Sequence, residues 1–146
     1  MIVIDTSTIL QALLAPDSSA AQIIARWQDQ DLHIATSPAL LGELAKAMTE
    51  KPISELLQPL TSQTKFFVDR FEQMAFVIET VDPLVGLAPH LANNPALQCA
   101  VNSGARYIVT LDEQLLELYS YRDILMLSPN TFMTALDQIL SDSVFQ

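Results

Sequence analysis

The chain has 146 residues, 50% of them hydrophobic, and its 17 acidic and 7 basic residues give a formal charge of −10 at pH 7. This length and hydrophobic content suit a single domain, residues 1–146, with a sizeable core. The acidic balance argues against a passive nucleic-acid binder, which normally presents a basic face. It suits carboxylates gathered around metal ions, or docking to a basic partner.

No apolar run approaches the ~18 residues that a membrane span needs. The opening residues, MIVIDTSTIL, lack the basic leader and the cleavage site of a signal peptide, so we expect a cytoplasmic protein with no membrane partner. Cys99 is the only cysteine, so no disulfide can form within the chain. With one thiol and two distant histidines, His33 and His90, a zinc site is not favoured, and any metal would be a hard ion held by oxygen.

Short apolar runs alternate with helical patterns along the chain. Several runs lack polar alternation, as parallel strands covered on both faces do; they are residues 1–4, 32–35, 76–81, 107–110 and 124–127. The predicted helices cover 17–29, Ser37-Pro38 to about Met48, 54–75 in two pieces, Asn94-Pro95 to Gly104, and Ser128-Pro129 onward. This order predicts an α/β fold with a mostly parallel sheet.

Two of the predicted strands end in an aspartate. MIVI runs into Asp5, and YIVT runs through Leu111 into Asp112. Ligands of a parallel sheet bind beyond the carboxyl ends of its strands, so two central strands would bring both carboxylates to one edge. Each aspartate alone would also suit a helix cap. The pair favours a shared site, because hydroxyl side chains accompany both ends: Thr6, Ser7 and Thr110.

A third carboxylate comes from the predicted helix SPALLGELAKAM. Glu43 lies off the apolar stripe of this helix, with the small residues Ala39 and Ala47 one turn to either side. Two interpretations remain open: a glutamate recessed against another element, or a solvated surface residue. Lys46, one turn beyond Glu43, is the basic residue best placed to reach a phosphate, although a solvated lysine fits the spacing equally well.

Together these elements resemble a PIN domain. The resemblance rests on Asp5-Thr6-Ser7 after an opening strand, on Glu43 in an early helix, and on GARYIVTLDEQLL followed by ILMLSPNTFMTAL. It spans nearly the whole chain. It implies a three-layer α/β/α fold with a mostly parallel central sheet of about five strands flanked by helices. The family includes the ribonuclease toxins of bacterial toxin–antitoxin pairs, and so implies a Mg²⁺- or Mn²⁺-dependent nuclease that cuts RNA.

By this resemblance, Asp5, Glu43 and Asp112 fall on three of the family's metal-site acids. Thr110 falls on the hydroxyl position of its VT-x-D element. We expect the three acids to be the metal ligands, with supporting roles for Thr6, Ser7, Thr110 and Lys46. The resemblance also implies a homodimer and, for a toxin, a basic antitoxin-like partner.

One catalytic position departs from the family pattern. Asn93 stands where the family usually places an aspartate, and Gln98 and His90 also replace acids. Asparagine matches aspartate in shape but carries no charge. The smaller negative charge at these positions predicts reduced or conditional nuclease activity. The alternative is a catalytically decayed module that acts through protein binding.

Overall fold

The structure, a computed structural model, describes residues 1–80 and 83–145, with side chains described up to residue 138. The strands are β1 (Ile2–Ile4), β2 (Ile34–Thr36), β3 (Phe76–Val77), β4 (Tyr107–Val109), β5 (Ser120–Tyr121) and β6 (Ile124–Leu127). The helices are α1 (Thr6–Leu14), α2 (Ser19–Gln28), α3 (Pro38–Thr49), α4 (Ile53–Leu57), α5 (Thr61–Met74), α6 (Pro89–Ala92), α7 (Pro95–Ser103), α8 (Glu113–Leu118) and α9 (Pro129–Phe145). A 3₁₀ turn, Gln58–Leu60, joins α4 to α5.

The strands form one sheet in the order β3-β2-β1-β4-β6-β5. Every neighbouring pair is parallel except β5 with β6, so the prediction of a mostly parallel sheet is confirmed. The chain places β2 and β3 on one side of β1 and then crosses over, so that β4 lies on the other side. The order therefore reverses between β1 and β4. Ligands of open α/β sheets bind at such a reversal, beyond the carboxyl ends of the strands.

Helices cover both faces of the sheet. Successive residues of a strand point to opposite faces, so Ile2 and Ile4 join one buried cluster while Val3 joins the other. The first cluster contains side chains from α1, α2, α5 and α9, such as Ile9, Trp27, Phe71 and Phe132. The second contains side chains from α7 and α8, such as Leu97 and Leu115. The three-layer α/β/α architecture is confirmed, and each buried large side chain contributes about 1.5–3 kcal/mol of burial free energy.

The predicted helix starts are confirmed by their capping contacts. Ser37 Oγ accepts a hydrogen bond from Leu40 N at 3.2 Å at the start of α3. Asn94 Oδ1 accepts from Ala96 N and Leu97 N, at 2.9 and 3.1 Å, at the start of α7. These contacts satisfy backbone donors that the first helical turn leaves unpaired. At its other end α7 stops at Gly104, whose φ of 72° is left-handed, as the sequence predicts.

The two sheet edges differ from the prediction. Of the strand expected over 76–81, only Phe76–Val77 pairs with β2, and Val81 lies outside the described residues. Strand β5 was not predicted because two residues, one exposed and one half-buried, give no periodic signal. Within the part of the chain that the structure describes, no helix has both the length and the apolar character needed to cross a bilayer.

Candidate active site

The register of the sheet places Asp5 beside Thr110. Ile4 is paired with Val109 in the parallel ladder between β1 and β4. The next backbone group, Asp5 N, donates to Val109 O at 3.3 Å. Asp5 and Thr110 therefore leave the sheet side by side at its carboxyl edge, where the strand order reverses. Both are buried: Asp5 is 7% exposed and Thr110 is 0% exposed.

Hydrogen bonds fix both oxygens of the Asp5 carboxylate. Oδ1 accepts from Ser7 Oγ at 2.8 Å and from Thr8 N at 3.1 Å, which makes Asp5 the cap of α1. Oδ2 accepts from the hydroxyl of Thr110. Thr8 ties the same turn to the neighbouring strand, because its hydroxyl donates to Val109 O at 3.2 Å. The orientation of Asp5 is thus set by groups from both β1–α1 and β4.

Thr110 also links Asp5 to Asp112. Its hydroxyl oxygen accepts a hydrogen bond from Asp112 N at 2.9 Å while it donates to Asp5. The half-buried Asp112 caps α8, since its Oδ1 accepts from Gln114 N at 2.8 Å. The capping interpretation of the strand-end aspartates is confirmed, and a shared site stays a prediction. Each caps a helix, and both lie at one edge of the sheet, joined through a single hydroxyl.

Burial makes this edge receptive to a cation. Desolvation raises the pKa of Asp5 above its ordinary value of 3.8, and the hydrogen bonds from Thr110, Ser7 and Thr8 act in the opposite direction. Among the described residues, no basic side chain forms an ion pair with Asp5, and the buried hydroxyl of Thr6 has no hydrogen-bond partner. A buried carboxylate without an opposite charge is costly. These hard oxygen donors fit a divalent cation such as Mg²⁺ or Mn²⁺.

Glu43 lies on the solvent side of α3. Its side chain is exposed, whereas Leu40 and Leu44 of the same helix are buried. This exposure favours the solvated interpretation over a recessed Glu43, and Lys46 is also exposed. Within the described residues, no three acidic, histidine or cysteine side chains are grouped so as to hold a metal ion. A joint metal site of Glu43 with Asp5 and Asp112 stays a prediction.

The amide side chains of Asn93 and Gln98, at positions where the sequence resemblance implies acids, donate hydrogen bonds to backbone carbonyl groups. Asn93 is exposed at the end of α6, and its Nδ2 donates to Pro89 O at 3.0 Å. Gln98 Nε2 donates to Ala92 O at 3.2 Å. An aspartate or glutamate has no amide donor for such a carbonyl. His90 is exposed. The two amides thus have a local structural role, which sequence patterns did not reveal.

Thr8 is the site residue that sequence analysis missed. It supplies a backbone donor to Asp5 and a side-chain hydroxyl to Val109. The signal was present, because Thr8 is three residues after the capping aspartate, where a cap's hydrogen bond normally ends. The hydroxyl bond to β4 could not be inferred without the strand order.

A family model described as PIN domain matches residues 1–114. This region runs from before β1 into the start of α8 and contains every residue predicted for the site. No curated protein and no solved structure gives a significant match. PIN domains are generally nucleases, and therefore hydrolases, and they generally use divalent metal ions. Since the matched region covers more than half of its length, the chain belongs to the PIN-domain family.

Proposed function

We propose that the protein is a PIN-type endoribonuclease that hydrolyses RNA phosphodiester bonds with Mg²⁺ or Mn²⁺. The observation that carries the proposal is the buried Asp5 carboxylate, which is held by Ser7, Thr8 and Thr110, with the backbone N of Asp112 bonded to the same Thr110 hydroxyl. It lies where the strand order reverses, which is the usual ligand position in such sheets. Membership of a nuclease family supports the same activity.

In this proposal Asp5 and Asp112 provide carboxylate ligands to the principal ion. Glu43 contributes directly or through a bound water, and Lys46 contacts a phosphate of the substrate. The ion, when bound, lowers the pKa of a water and neutralises charge on the phosphoryl group. Thr6, Ser7 and Thr110 keep the ligands or their bound water in position.

The surroundings of Asp5 suit this role because they restrict the carboxylate before any ion binds. Three donors from Ser7, Thr8 and Thr110 hold its two oxygens. Hydrogen bonds to a charged acceptor contribute about 1.5–3 kcal/mol each. A carboxylate held in this way does not need to be ordered again when a cation arrives, so little free energy is lost on binding.

Substitution of Asp5 tests the activity. Asp5→Asn keeps the shape of the side chain but removes its charge, so we expect cleavage of single-stranded RNA in Mn²⁺ to be abolished. Asp29→Asn, at the exposed end of α2, is a matched control that should cleave as the wild type does. A fully active Asp5→Asn protein would contradict the assigned role of Asp5.

We also propose that the protein works as a homodimer in the cytoplasm and is the toxin of a toxin–antitoxin pair. Its formal charge of −10 supports docking of a basic antitoxin-like protein. A short neighbouring gene that encodes a DNA-binding protein would support this assignment. Co-expression and co-purification of the two products would test the complex, and light scattering would test the dimer.

The second candidate function is a decayed PIN module that acts by binding a protein. The hydrogen bonds of Asn93 and Gln98 to backbone carbonyls favour it, because they give both amides a structural use without any metal. Isothermal titration with Mn²⁺ separates the two functions. If Mn²⁺ gives binding heat with the wild type but none with Asp5→Asn, the result supports the nuclease. If Mn²⁺ gives no binding heat with the wild type, the result supports the protein-binding module.

A further inference from the structure

A small cleft opens between the starts of α2 and α9. Its volume is about 250 Å³. We call it the α2–α9 cleft, and the residues that line it are Gln11, Asp17, Ser18, Ser19, Leu111, Ser128, Pro129 and Asn130. This volume lies below the roughly 300–1,000 Å³ of typical small-molecule pockets, so it suits one ring system rather than a whole cofactor.

One wall of the cleft adjoins the candidate active site in the chain. Leu111, on its wall, lies between Thr110 and Asp112 in the chain and is 37% exposed. Ser128 follows β6, whose Leu127 accepts a hydrogen bond from Thr110 N at 3.0 Å. Leu111 is thus the cleft residue that adjoins both Thr110 and Asp112 in the chain.

The walls of the cleft are held by a contact between distant parts of the chain. Ser19 Oγ donates to Asn130 Oδ1 at 2.5 Å, which joins the first turn of α2 to the first turn of α9. With its oxygen engaged by Ser19, Asn130 keeps its amide nitrogen as a donor. The side chains of Gln11 and Asp17 make no hydrogen bond or ion pair within the described part of the chain. The cleft thus offers both donors and acceptors to a ligand.

The charge of the cleft favours a nucleobase over a phosphate. None of the described residues that line it is basic, and Asp17 is acidic. A phosphate would be repelled by this carboxylate, whereas an exocyclic amino group could donate to it. Adenine, cytosine and guanine carry such a group, and uracil does not. Bases of single-stranded RNA are accessible for hydrogen bonding on their edges and contact on their faces.

We propose that the α2–α9 cleft binds the nucleobase next to the scissile phosphate and selects bases that carry an exocyclic amino group. Asp17 accepts from that amino group, Gln11 and Asn130 bond the remaining edge, and Leu111 packs on the face of the ring. This inference rests on the proposed ribonuclease activity, because the substrate must be RNA held at Asp5 and Asp112.

Single-stranded RNA oligonucleotides that differ in one base at a time, on either side of a fixed linkage, test the inference. We measure kcat/KM for cleavage in Mn²⁺ and, separately, binding by fluorescence anisotropy. At one of the two flanking positions we expect amino-bearing bases to be preferred over uracil by about tenfold, which corresponds to ~1.4 kcal/mol. Asp17→Leu removes the acceptor, whereas asparagine would keep an amide oxygen that still accepts, so Asp17→Leu should reduce this preference to less than about twofold.

Asp137→Leu, on the exposed side of α9, is the matched control, because it removes the same charge outside the cleft and should keep the full preference. Equal kcat/KM and equal affinity for all bases in the wild type would overturn the inference, as would a preference that survives in Asp17→Leu. Base-dependent binding without any cleavage would support base selection by the α2–α9 cleft and contradict the proposed ribonuclease activity. The failure of either claim can therefore be distinguished from the failure of the other.

Discussion

Asp5 and Thr110 are 105 residues apart in the chain, yet the hydroxyl of Thr110 donates a hydrogen bond to Oδ2 of Asp5. The same hydroxyl accepts from Asp112 N at 2.9 Å. Removal of one oxygen atom would therefore unpair two buried or half-buried groups, one on each strand end. Thr110 thus holds both predicted metal ligands in position through its one hydroxyl group.

Thr110→Val should destabilise the protein. Valine has the same shape as threonine but leaves Asp5 Oδ2 without a donor and Asp112 N without an acceptor, which costs about 1–3 kcal/mol. Urea denaturation measures the change in the free energy of unfolding. Thr49→Val is the matched control, since Thr49 is exposed and its hydroxyl donates only to Lys46 O; it should change stability by less than ~0.5 kcal/mol. Equal effects of the two substitutions would contradict the linking role of Thr110.

Asp5 should make the metal-free protein less stable as the pH rises. Burial raises its folded-state pKa above 3.8, so the folded state holds the proton more tightly than the unfolded state does. The contribution of Asp5 is fully present below 3.8 and is lost as the pH rises through the folded-state pKa. In EDTA, Asp5→Asn should therefore gain stability relative to the wild type between about pH 3 and pH 7. A constant difference between the two unfolding free energies across this range would refute the pKa direction.

Mn²⁺ should stabilise the wild-type protein against heat. A cation that binds only the folded state at about 100 times its Kd adds about 2.7 kcal/mol to the free energy of unfolding. For a chain of this size that corresponds to a rise in Tm of roughly 5–10 °C. The measurement is a thermal melt with and without Mn²⁺. In Asp5→Asn the rise should vanish, and an equal rise in both proteins would place the ion elsewhere.

Asn93→Asp should strengthen metal binding and raise cleavage, because it adds the negative charge that the sequence resemblance implies at this position. The substitution should also destabilise the fold. The hydrogen bond from Asn93 Nδ2 to Pro89 O is lost, which should lower the free energy of unfolding by about 1 kcal/mol. Titration calorimetry measures the affinity for Mn²⁺, and an RNA cleavage assay measures the activity.

Asn102→Asp is the control for this substitution. Asn102 Nδ2 donates to Gln98 O at 2.8 Å, so the substitution loses the same kind of bond and adds the same charge. It should lose stability without tightening Mn²⁺ binding. If both substitutions leave Mn²⁺ affinity and cleavage unchanged, the missing negative charge at position 93 does not limit metal binding or activity.

Cys99 should report global unfolding. It is 0% exposed in the second cluster, and burial raises the pKa of its thiol to about 12. The reactive thiolate is therefore scarce in the native protein near neutral pH. A thiol reagent should modify the native chain slowly and the urea-unfolded chain rapidly. Rapid modification in native buffer would show that α7 separates locally from the sheet.

Much of the fold could be predicted from local signals. Ser37-Pro38 and Asn94-Pro95 begin helices because the first residue caps and the proline fits the first turn. The buried strands read as continuous apolar runs because helices cover both faces. The edge strands were missed or overextended. Phe76 and Val77 are each 49% exposed, so their apolar character does not mark burial there.

The site could be predicted only in part. Asp5 and Asp112 were located because a strand end is a local feature and parallel strands share an edge. The exposure of Glu43 could not be decided, because its spacing on α3 fits either orientation. The link through Thr110 needed the register between β1 and β4, which no short stretch of sequence contains. The hydrogen bond from Asn93 Nδ2 to Pro89 O depends on the turn at the end of α6, and no sequence pattern predicts that turn.

The central position of β1 bears on how the protein is made. Strand β1 is paired on one side by Tyr107–Val109, which is synthesised more than a hundred residues after it. A nascent or truncated chain that ends before this point has Asp5 but neither Thr110 nor Asp112. Under the proposed function, such a fragment cannot assemble the active site, so RNA cleavage begins only after β4 and the residues that follow it have been synthesised.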